Sequence, residues 1–188
     1  MADMKNFGIP KRRSACLVII DVQERFRPAI FDFGRTANNI RKLAEAFRVL
    51  GIPIIITEQN PEKLGKTIPQ ITNELGEFKP VAKMHFSCCG EKEFVKALRK
   101  TKAKDVILCG LETHVCVLRT ALDLIGMGYR VHVACDAVSS RRKPDTDLAI
   151  RRFVQAGAPF ITTTETVIFQ LIDKAGTEEF RKIFAIVK

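Results

Sequence analysis

Six short apolar runs, rich in valine and isoleucine, recur along this chain with helical patterns between them. They occupy residues 16–20, 53–57, 81–84, 106–109, 131–134 and 160–163. Continuous apolar runs of this length indicate strands that are buried on both faces, and parallel strands need a helical crossover between them. The alternation therefore predicts an α/β fold with three layers, in which a parallel sheet lies between two layers of helices.

The helical segments differ in how their apolar residues are distributed. Residues 40–50 form one apolar stripe that Gly51 and Pro53 end. The segment that begins near His114 is apolar on most sides, so we expect the sheet to cover one face and a neighbouring subunit to cover the other. Further helices are predicted at residues 91–100, 165–174 and 177–187.

Length and composition set the class of protein. A chain of 188 residues with 46% apolar content can bury one core, so residues 1–188 are predicted to form a single domain with residues 1–14 as an irregular N-terminal arm. No run of some 18 apolar residues is present, and the basic Lys11 to Arg13 cluster is not paired with the apolar region and cleavage site of a signal peptide. Six cysteines without a CxxC pair are typical of reduced thiols. We therefore expect a cytoplasmic protein that does not enter a membrane.

A net charge of +10 suits anionic partners, from carboxylate substrates to nucleic acids. The basic residues are, however, interspersed with acidic ones, and one tyrosine with no tryptophan gives little for bases to stack on. The composition favours a solvated basic surface over a nucleic-acid interface, and a small molecule as the partner.

Cys116 has the position of a nucleophile. It lies just past the apolar run 106–109 and within the first turn of the following helix. Exposed amides and the positive end of a helix dipole stabilise a thiolate, so this position predicts a lowered pKa for the thiol. Cys16, Cys109 and Cys135 lie in strand positions, where a cysteine packs as a small apolar residue.

Two further reactive side chains occupy equivalent strand ends, namely Asp21 after residues 16–20 and Lys83 within residues 81–84. Ligands of such sheets bind at the carboxyl ends of the strands. A carboxylate could take the proton of Cys116, an ammonium could stabilise the charges, and the amides of Val115 and Cys116 could bind the oxyanion. The carboxylate would then protonate a leaving amine, and water would hydrolyse the thioester.

Two competing assignments are weaker. His114 lies two residues before Cys116, and residues at that spacing on a helix do not face each other. His85, Cys88 and Cys89 offer three zinc ligands, but no fourth ligand follows at a recognised spacing.

Several segments resemble the isochorismatase-like hydrolases, the superfamily that also holds nicotinamidases and N-carbamoylsarcosine amidohydrolases. The resemblance extends from about residue 15 to the C-terminus. It rests on Ile-Asp-Val-Gln at 20–23, on Lys83 followed by Phe-Ser at 86–87, on Gly-Leu-Glu-Thr-His-Val-Cys-Val at 110–117, and on Asp-Ala-Val-Ser-Ser-Arg at 136–141. The last two, with Thr-Glu-Gln at 57–59 and Lys-Leu-Gly at 63–65, are most similar to the isochorismatase domain-containing branch.

This resemblance implies an Asp-Lys-Cys triad at Asp21, Lys83 and Cys116, the same residues that the strand-end argument selects. It also implies a Rossmann-like fold with a six-stranded parallel sheet in the order 3-2-1-4-5-6. A cis peptide between Leu111 and Glu112, without proline, is implied to shape the oxyanion site.

Departures from the relatives narrow the chemistry. Nicotinamidases hold a metal with histidines, and residues 57–65 contain none, so no metal or cofactor is expected. Isochorismatases proper lack a cysteine at the nucleophile position and cleave a vinyl ether, so Cys116 favours attack at an acyl carbon instead.

Candidate pocket residues follow from the same strand ends. Phe26 and Phe86 come shortly after the first and third strands, and either could be a pocket wall or part of the core. Gln23 and Gln59 are assigned to the substrate pocket with them. Glu112 could accept a hydrogen bond from a substrate amine or cap the helix beside it.

These observations predict a metal-free cysteine hydrolase that cleaves a C–N bond of a small amide and assembles as a homo-oligomer. Two other classes stay open. One is a basic, nucleic-acid-associated protein of the kind labelled a ribonuclease, and the other is a non-catalytic oligomeric redox or scaffold protein with an oxidation-prone Cys116.

Overall fold

A parallel sheet of six strands forms the centre of the computed structural model, which describes residues 8–157 and 159–188. The strands are β1 (Ala15–Ile20), β2 (Ile54–Gln59), β3 (Val81–Lys83), β4 (Asp105–Leu111), β5 (Arg130–Ser139) and β6 (Phe160–Thr162). Their order is β3-β2-β1-β4-β5-β6, and every neighbouring pair is parallel. The predicted fold class and strand order are confirmed, and the strand order reverses between β1 and β4, where such sheets bind ligands.

Helices connect the strands across both faces of the sheet. They are α1 (Phe33–Val49), α2 (Pro61–Leu64), α3 (Pro69–Thr72), α4 (Lys92–Thr101), α5 (Leu118–Gly126), α6 (Lys143–Gln155), α7 (Thr164–Gln170) and α8 (Glu178–Val187). The sequence pattern did not predict α6, which buries only Ala149 and Phe153 along its length. None of the described helices combines the length and the apolar character that a membrane span needs.

The core has two layers because alternate residues of each strand point to opposite faces. On one face, Leu17 and Ile19 of β1 pack with Phe47 of α1 and with α7 and α8. On the other face, Val18 and Ile20 pack with α4, α5 and α6. The buried charged residues Asp21, Lys83 and Asp105 lie at the ends of strands, outside these two apolar layers.

The N-terminal arm was predicted as irregular over residues 1–14, of which residues 1–7 lie outside the described part. The rest ends in a 3₁₀ turn at Arg12–Ser14 and is anchored by hydrogen bonds. The amide of Lys11 donates to Asp105 Oδ2 at 3.2 Å, and Arg12 Nη2 donates to the Leu50 carbonyl at 2.8 Å.

Candidate active site

The side chains of Asp21, Lys83 and Cys116 meet at the carboxyl edge of the sheet. Asp21 directly follows β1, Lys83 ends β3, and Cys116 lies in a π-helical turn, Thr113–Val117, between β4 and α5. Lys83 Nζ lies 2.7 Å from Asp21 Oδ2 and 3.5 Å from Cys116 Sγ. The residues are 1%, 2% and 7% exposed, respectively. The ammonium thus contacts both the predicted base and the predicted nucleophile in a site largely shielded from water.

The Asp21 carboxylate has two differently engaged oxygens. Oδ1 accepts a hydrogen bond of 2.7 Å from the hydroxyl of Thr57, a residue the sequence analysis did not assign to the site. Oδ2 faces Lys83 but accepts no hydrogen bond of regular geometry from the described residues. Burial raises the pKa of Asp21 above its ordinary value, although Lys83 and Thr57 oppose the shift. Oδ2 is therefore the oxygen available to take a proton.

Lys83 is held by acceptors on three sides. Its ammonium donates to Gln59 Oε1 at 2.6 Å and to the carbonyls of His85 and Phe86 at 3.1 and 3.2 Å. Burial alone would lower its pKa, but the charge of Asp21 and the nearby thiols raise the pKa above its ordinary value. Lys83 is therefore a fixed positive charge rather than a proton donor.

The predicted lowering of the Cys116 pKa is wrong. Burial and the negative charge of Asp21 raise the pKa of this thiol to about 12, and the opposing effect of Lys83 is smaller. The position at a helix start does not lower the pKa of Cys116, because the thiol is enclosed by protein and lies beside a carboxylate. At rest Cys116 is a neutral thiol, and its reaction requires that a base remove the proton.

A close approach of two strands brings Asp21 near the nucleophile turn. Gly110 of β4 pairs with Ile20 of β1 and has a φ of +118°. A Cβ at this position would lie 2.1 Å from the Ile20 carbonyl oxygen. Only glycine satisfies both conditions, so the contact between β1 and the turn depends on it. The implied cis peptide is present between Leu111 and Glu112.

Two of the predicted pocket residues are glutamines, and the structure gives them different positions. Gln59 contacts Lys83 directly, and its Nε2 donates to the Met84 carbonyl at 3.0 Å. Gln23 is fully buried, and its amide bonds to the backbone of Gln59 and Gly65. As a correction, Gln23 is not a pocket wall, because its polar atoms are already used to fix the strand end that carries Gln59.

The two phenylalanines that were predicted to line the pocket differ in burial. Phe26 is partly buried and packs against the core layer that contains α1. Phe86 is 60% exposed, and its carbonyl accepts from Lys83. Phe86 is therefore the more exposed of the two, and its backbone contacts Lys83 of the triad.

The predicted oxyanion donor Val115 and the predicted helix-capping role of Glu112 also need correction. The amide of Val115 already donates to the Glu112 carbonyl at 3.1 Å, so it is occupied within the turn. The carboxylate of Glu112 makes no helix-capping bond. Instead its Oε2 accepts from the amide and from Nε of Arg141, both at 3.1 Å.

The residues of the rejected zinc assignment have other partners. His85 Nδ1 lies 2.9 Å from Glu91 Oε1, and Cys88 Sγ lies 3.8 Å from Thr57 Oγ1. Across residues 8–157 and 159–188, no three histidine, cysteine, aspartate or glutamate side chains are grouped so that they could hold a metal ion.

Known proteins show the same sequence pattern and fold. The pattern of the family described as Isochorismatase domain matches residues 15–165. Isochorismatase domain-containing protein 2 of Danio rerio is 39% identical over 180 residues, which cover 96% of this chain and 90% of that protein. The structure of MAR1 Ribonuclease from Caenorhabditis elegans has a TM-score of 0.88 at 37% identity, covering 94% of this chain and 91% of that chain.

A bacterial structure adds information on assembly. The YcaC gene product of Escherichia coli, described as an octameric hydrolase of unknown specificity, has a TM-score of 0.80 at 25% identity. The alignment covers 86% of this chain and 80% of that one. With the matched sequence pattern, the relatives and the shared sheet order, this chain belongs to the isochorismatase family of hydrolases.

Proposed function

We propose that this protein hydrolyses a C–N bond of a small amide through a thioester on Cys116. The observation that carries the proposal is the position of Lys83 Nζ, 2.7 Å from Asp21 Oδ2 and 3.5 Å from Cys116 Sγ. A carboxylate, a cation and a thiol in contact within a buried site are the groups that acyl transfer needs.

In the first half-reaction, Asp21 Oδ2 takes the thiol proton while Cys116 Sγ forms a bond to the amide carbon. The transfer turns a carboxylate and a thiol into a carboxylic acid and a thiolate, so the net charge beside Lys83 does not change. This balance matters because an additional charge would be costly in a buried site. The amide of Cys116 is the donor that we assign to the oxyanion, since that of Val115 is occupied.

The C–N bond then breaks and the amine leaves with the proton held by Asp21, which completes the first half-reaction and leaves the thioester. A water molecule then gives a proton to the same carboxylate and attacks the thioester carbon. The S–C bond breaks, a carboxylic acid is released, and Cys116 regains its proton. One carboxylate therefore acts alternately as base and acid.

We also propose that the protein is cytoplasmic and forms a homo-oligomer. All six cysteines are free, which supports a reducing compartment such as the cytoplasm. The octameric bacterial relative supports a homo-oligomer, as do the apolar side chains of Leu122 within α5 and Met127 just after it, which are 39% and 41% exposed.

Trapping the acyl-enzyme tests the reaction. A library of small amides is incubated with the wild type, Cys116→Ala and Cys109→Ala, the mixtures are quenched in acid, and intact masses are recorded. We expect an adduct of the acyl group on the wild type and on Cys109→Ala, whose thiol is buried away from the triad. Ammonia or amine release without any adduct that depends on Cys116 would contradict the proposal.

A further inference from the structure

A surface cavity of about 540 Å³ lies along α4, outside the candidate active site. Its size is within the range of clefts that bind small molecules. Four of the residues that line it are cations, namely Lys92, Lys96, Arg99 and Lys100. A cavity with this lining is a candidate site for an anion.

These four cations differ from most others on α-helices of this protein in having no acidic partner. None of them forms an ion pair with any residue that the structure describes. By contrast, Arg41, Lys143 and Lys182 each pair with a carboxylate one helical turn away, at 2.8, 2.6 and 2.8 Å. Like charges four residues apart destabilise a helix, so a bound anion would relieve the repulsion along α4.

The cations of the cavity form a row. Lys92, Lys96 and Lys100 follow one another at intervals of four residues, which places them along one side of α4 over about 12 Å. Arg99 adds a second cation beside Lys100. A row of positive charges matches a linear chain of negative groups better than it matches a single small ion.

The first turn of α4 adds the partial positive charge of a helix N-terminus. Glu91 occupies the N-cap position but makes no capping bond, because its carboxylate accepts from the amides of Met84 and His85. The amides of a first helical turn have no partner within the helix and favour an anion. Gly90 and Lys92 line the cavity, so this end of α4 lies at its edge.

The remaining lining indicates which kind of anion fits. Val95 and Cys89 are half-buried, and no aromatic side chain is among the described residues that line the cavity. Single-stranded nucleic acids bind through bases stacked on aromatic rings as well as through phosphates, so the lining favours a small molecule. Asp123 of α5 acts on the Cys89 thiol and Glu93 lies on α4 itself, so the four cations outnumber the nearby acids.

We propose that this cavity binds the linear polyphosphate chain of a small molecule, which is either a nucleoside triphosphate or free polyphosphate. The site is separate from the triad, although one short turn, Cys88–Gly90, reaches both. Cys88 is fully buried with its Sγ 3.8 Å from Thr57 Oγ1, whereas Cys89 lines the cavity. Binding can therefore be followed at Cys89, without any reaction at Cys116.

Protection of Cys89 from N-ethylmaleimide tests whether the cavity is occupied. The labelling rates of Cys89 and Cys135 are measured by peptide mass spectrometry at increasing tripolyphosphate and constant ionic strength. Labelling of Cys89 is expected to slow about tenfold at about ten times the Kd, since only the free protein reacts. Cys135 is also half-buried but lies in β5, so its rate is expected to stay unchanged. Equal slowing of both thiols, or of neither, would contradict a site on α4.

Calorimetry with two charge variants tests the row of cations directly. Lys96→Gln/Lys100→Gln removes two charges of the row, and Lys143→Gln/Lys182→Gln removes the same charge from exposed pairs elsewhere. Tripolyphosphate is expected to bind the first variant about tenfold more weakly than the wild type, because charge-assisted contacts are lost. Its affinity for the second variant is expected to equal that for the wild type.

Adenosine triphosphate and orthophosphate complete the titrations, without divalent cations and at the same ionic strength. Tighter binding of adenosine triphosphate than of tripolyphosphate supports a nucleoside triphosphate as the ligand, and equal or weaker binding supports free polyphosphate. Orthophosphate that binds as tightly as tripolyphosphate, or an equal loss of affinity in both charge variants, would overturn the inference.

Discussion

Among single residues, the chemistry of the site depends on which of the triad side chains carries a proton. The sequence allows Asp21, Lys83 and Cys116 to be predicted as neighbours, because the strands of a parallel sheet end at the same edge. The pKa of Cys116 could not be derived in this way. Its direction depends on burial and on the nearness of Asp21, which only the three-dimensional arrangement gives.

The contact between β1 and β4 predicts the effect of a single methyl group at residue 110. Gly110→Ala places a Cβ against the fixed Ile20 backbone at a φ of +118°, so we expect a loss of about 3 kcal/mol in the free energy of unfolding. Urea denaturation followed by circular dichroism measures this difference in the free energy of unfolding.

Gly126 at the end of α5 provides the control. A Cβ there meets no atom within 4 Å, so Gly126→Ala is expected to leave stability nearly unchanged. A Gly110→Ala protein as stable as the wild type would show that the close approach is not required.

The contacts of the glutamine and arginine side chains could not be predicted from the sequence. Gln23 and Gln59 were assigned the same role, yet one binds backbone atoms and the other binds Lys83. Arg141 belonged to the segment that supported the family resemblance, but nothing in its sequence neighbourhood distinguishes it from Arg142. The contact with Glu112 joins residues 29 positions apart, and no local pattern reports it.

At the scale of elements, the six strands were predictable because their apolar runs are continuous. Helix α6 was missed because Leu148 and Val154 are exposed while Ala149 and Phe153 are buried, so no single stripe marks the helix. The turn that carries Cys116 was predicted as the start of an α-helix and is π-helical.

The opposite edge of the sheet, at the start of β4 and β5, carries a buried ion cluster. Asp105 is fully buried and bonds to Arg130 at 2.6 Å and to His132 at 3.2 Å. Burial alone would raise the pKa of Asp105, but these bonds and that from the Lys11 amide hold it well below its usual range. The cluster ties β4, β5 and the N-terminal arm together.

This cluster predicts a pH-dependent contribution to stability. Because the folded-state pKa of Asp105 is lowered, its contribution is present above the unfolded pKa of about 3.9 and is lost as the pH falls through the folded value. Asp105→Asn is expected to cost roughly 2 kcal/mol at pH 7 and progressively less below about pH 4. Chemical denaturation of the wild type and Asp105→Asn, at pH 7 and well below about pH 4, measures the cost in stability. A cost that does not change with pH would contradict the assignment.

For the protein as a whole, the net charge of +10 and the similarity to a structure described as a ribonuclease both raise the question of RNA binding. Binding of RNA through scattered cations is a sequence-independent electrostatic effect that weakens steeply with salt. We expect any RNA affinity measured by fluorescence anisotropy to fall steeply between 50 and 200 mM salt and to be equal in Cys116→Ala and the wild type. RNA cleavage that is lost in Cys116→Ala would instead connect the triad to nucleic acid.

The pH dependence of Cys116 alkylation by iodoacetamide shows directly whether Asp21, Lys83 and Cys116 act as one coupled group. In the wild type we expect a strongly alkaline midpoint, as a thiol pKa of about 12 requires. Asp21→Asn removes the adjacent negative charge and should move the midpoint to lower pH, whereas Lys83→Met removes the cation and should move it higher. Midpoints that coincide in all three proteins would contradict the triad.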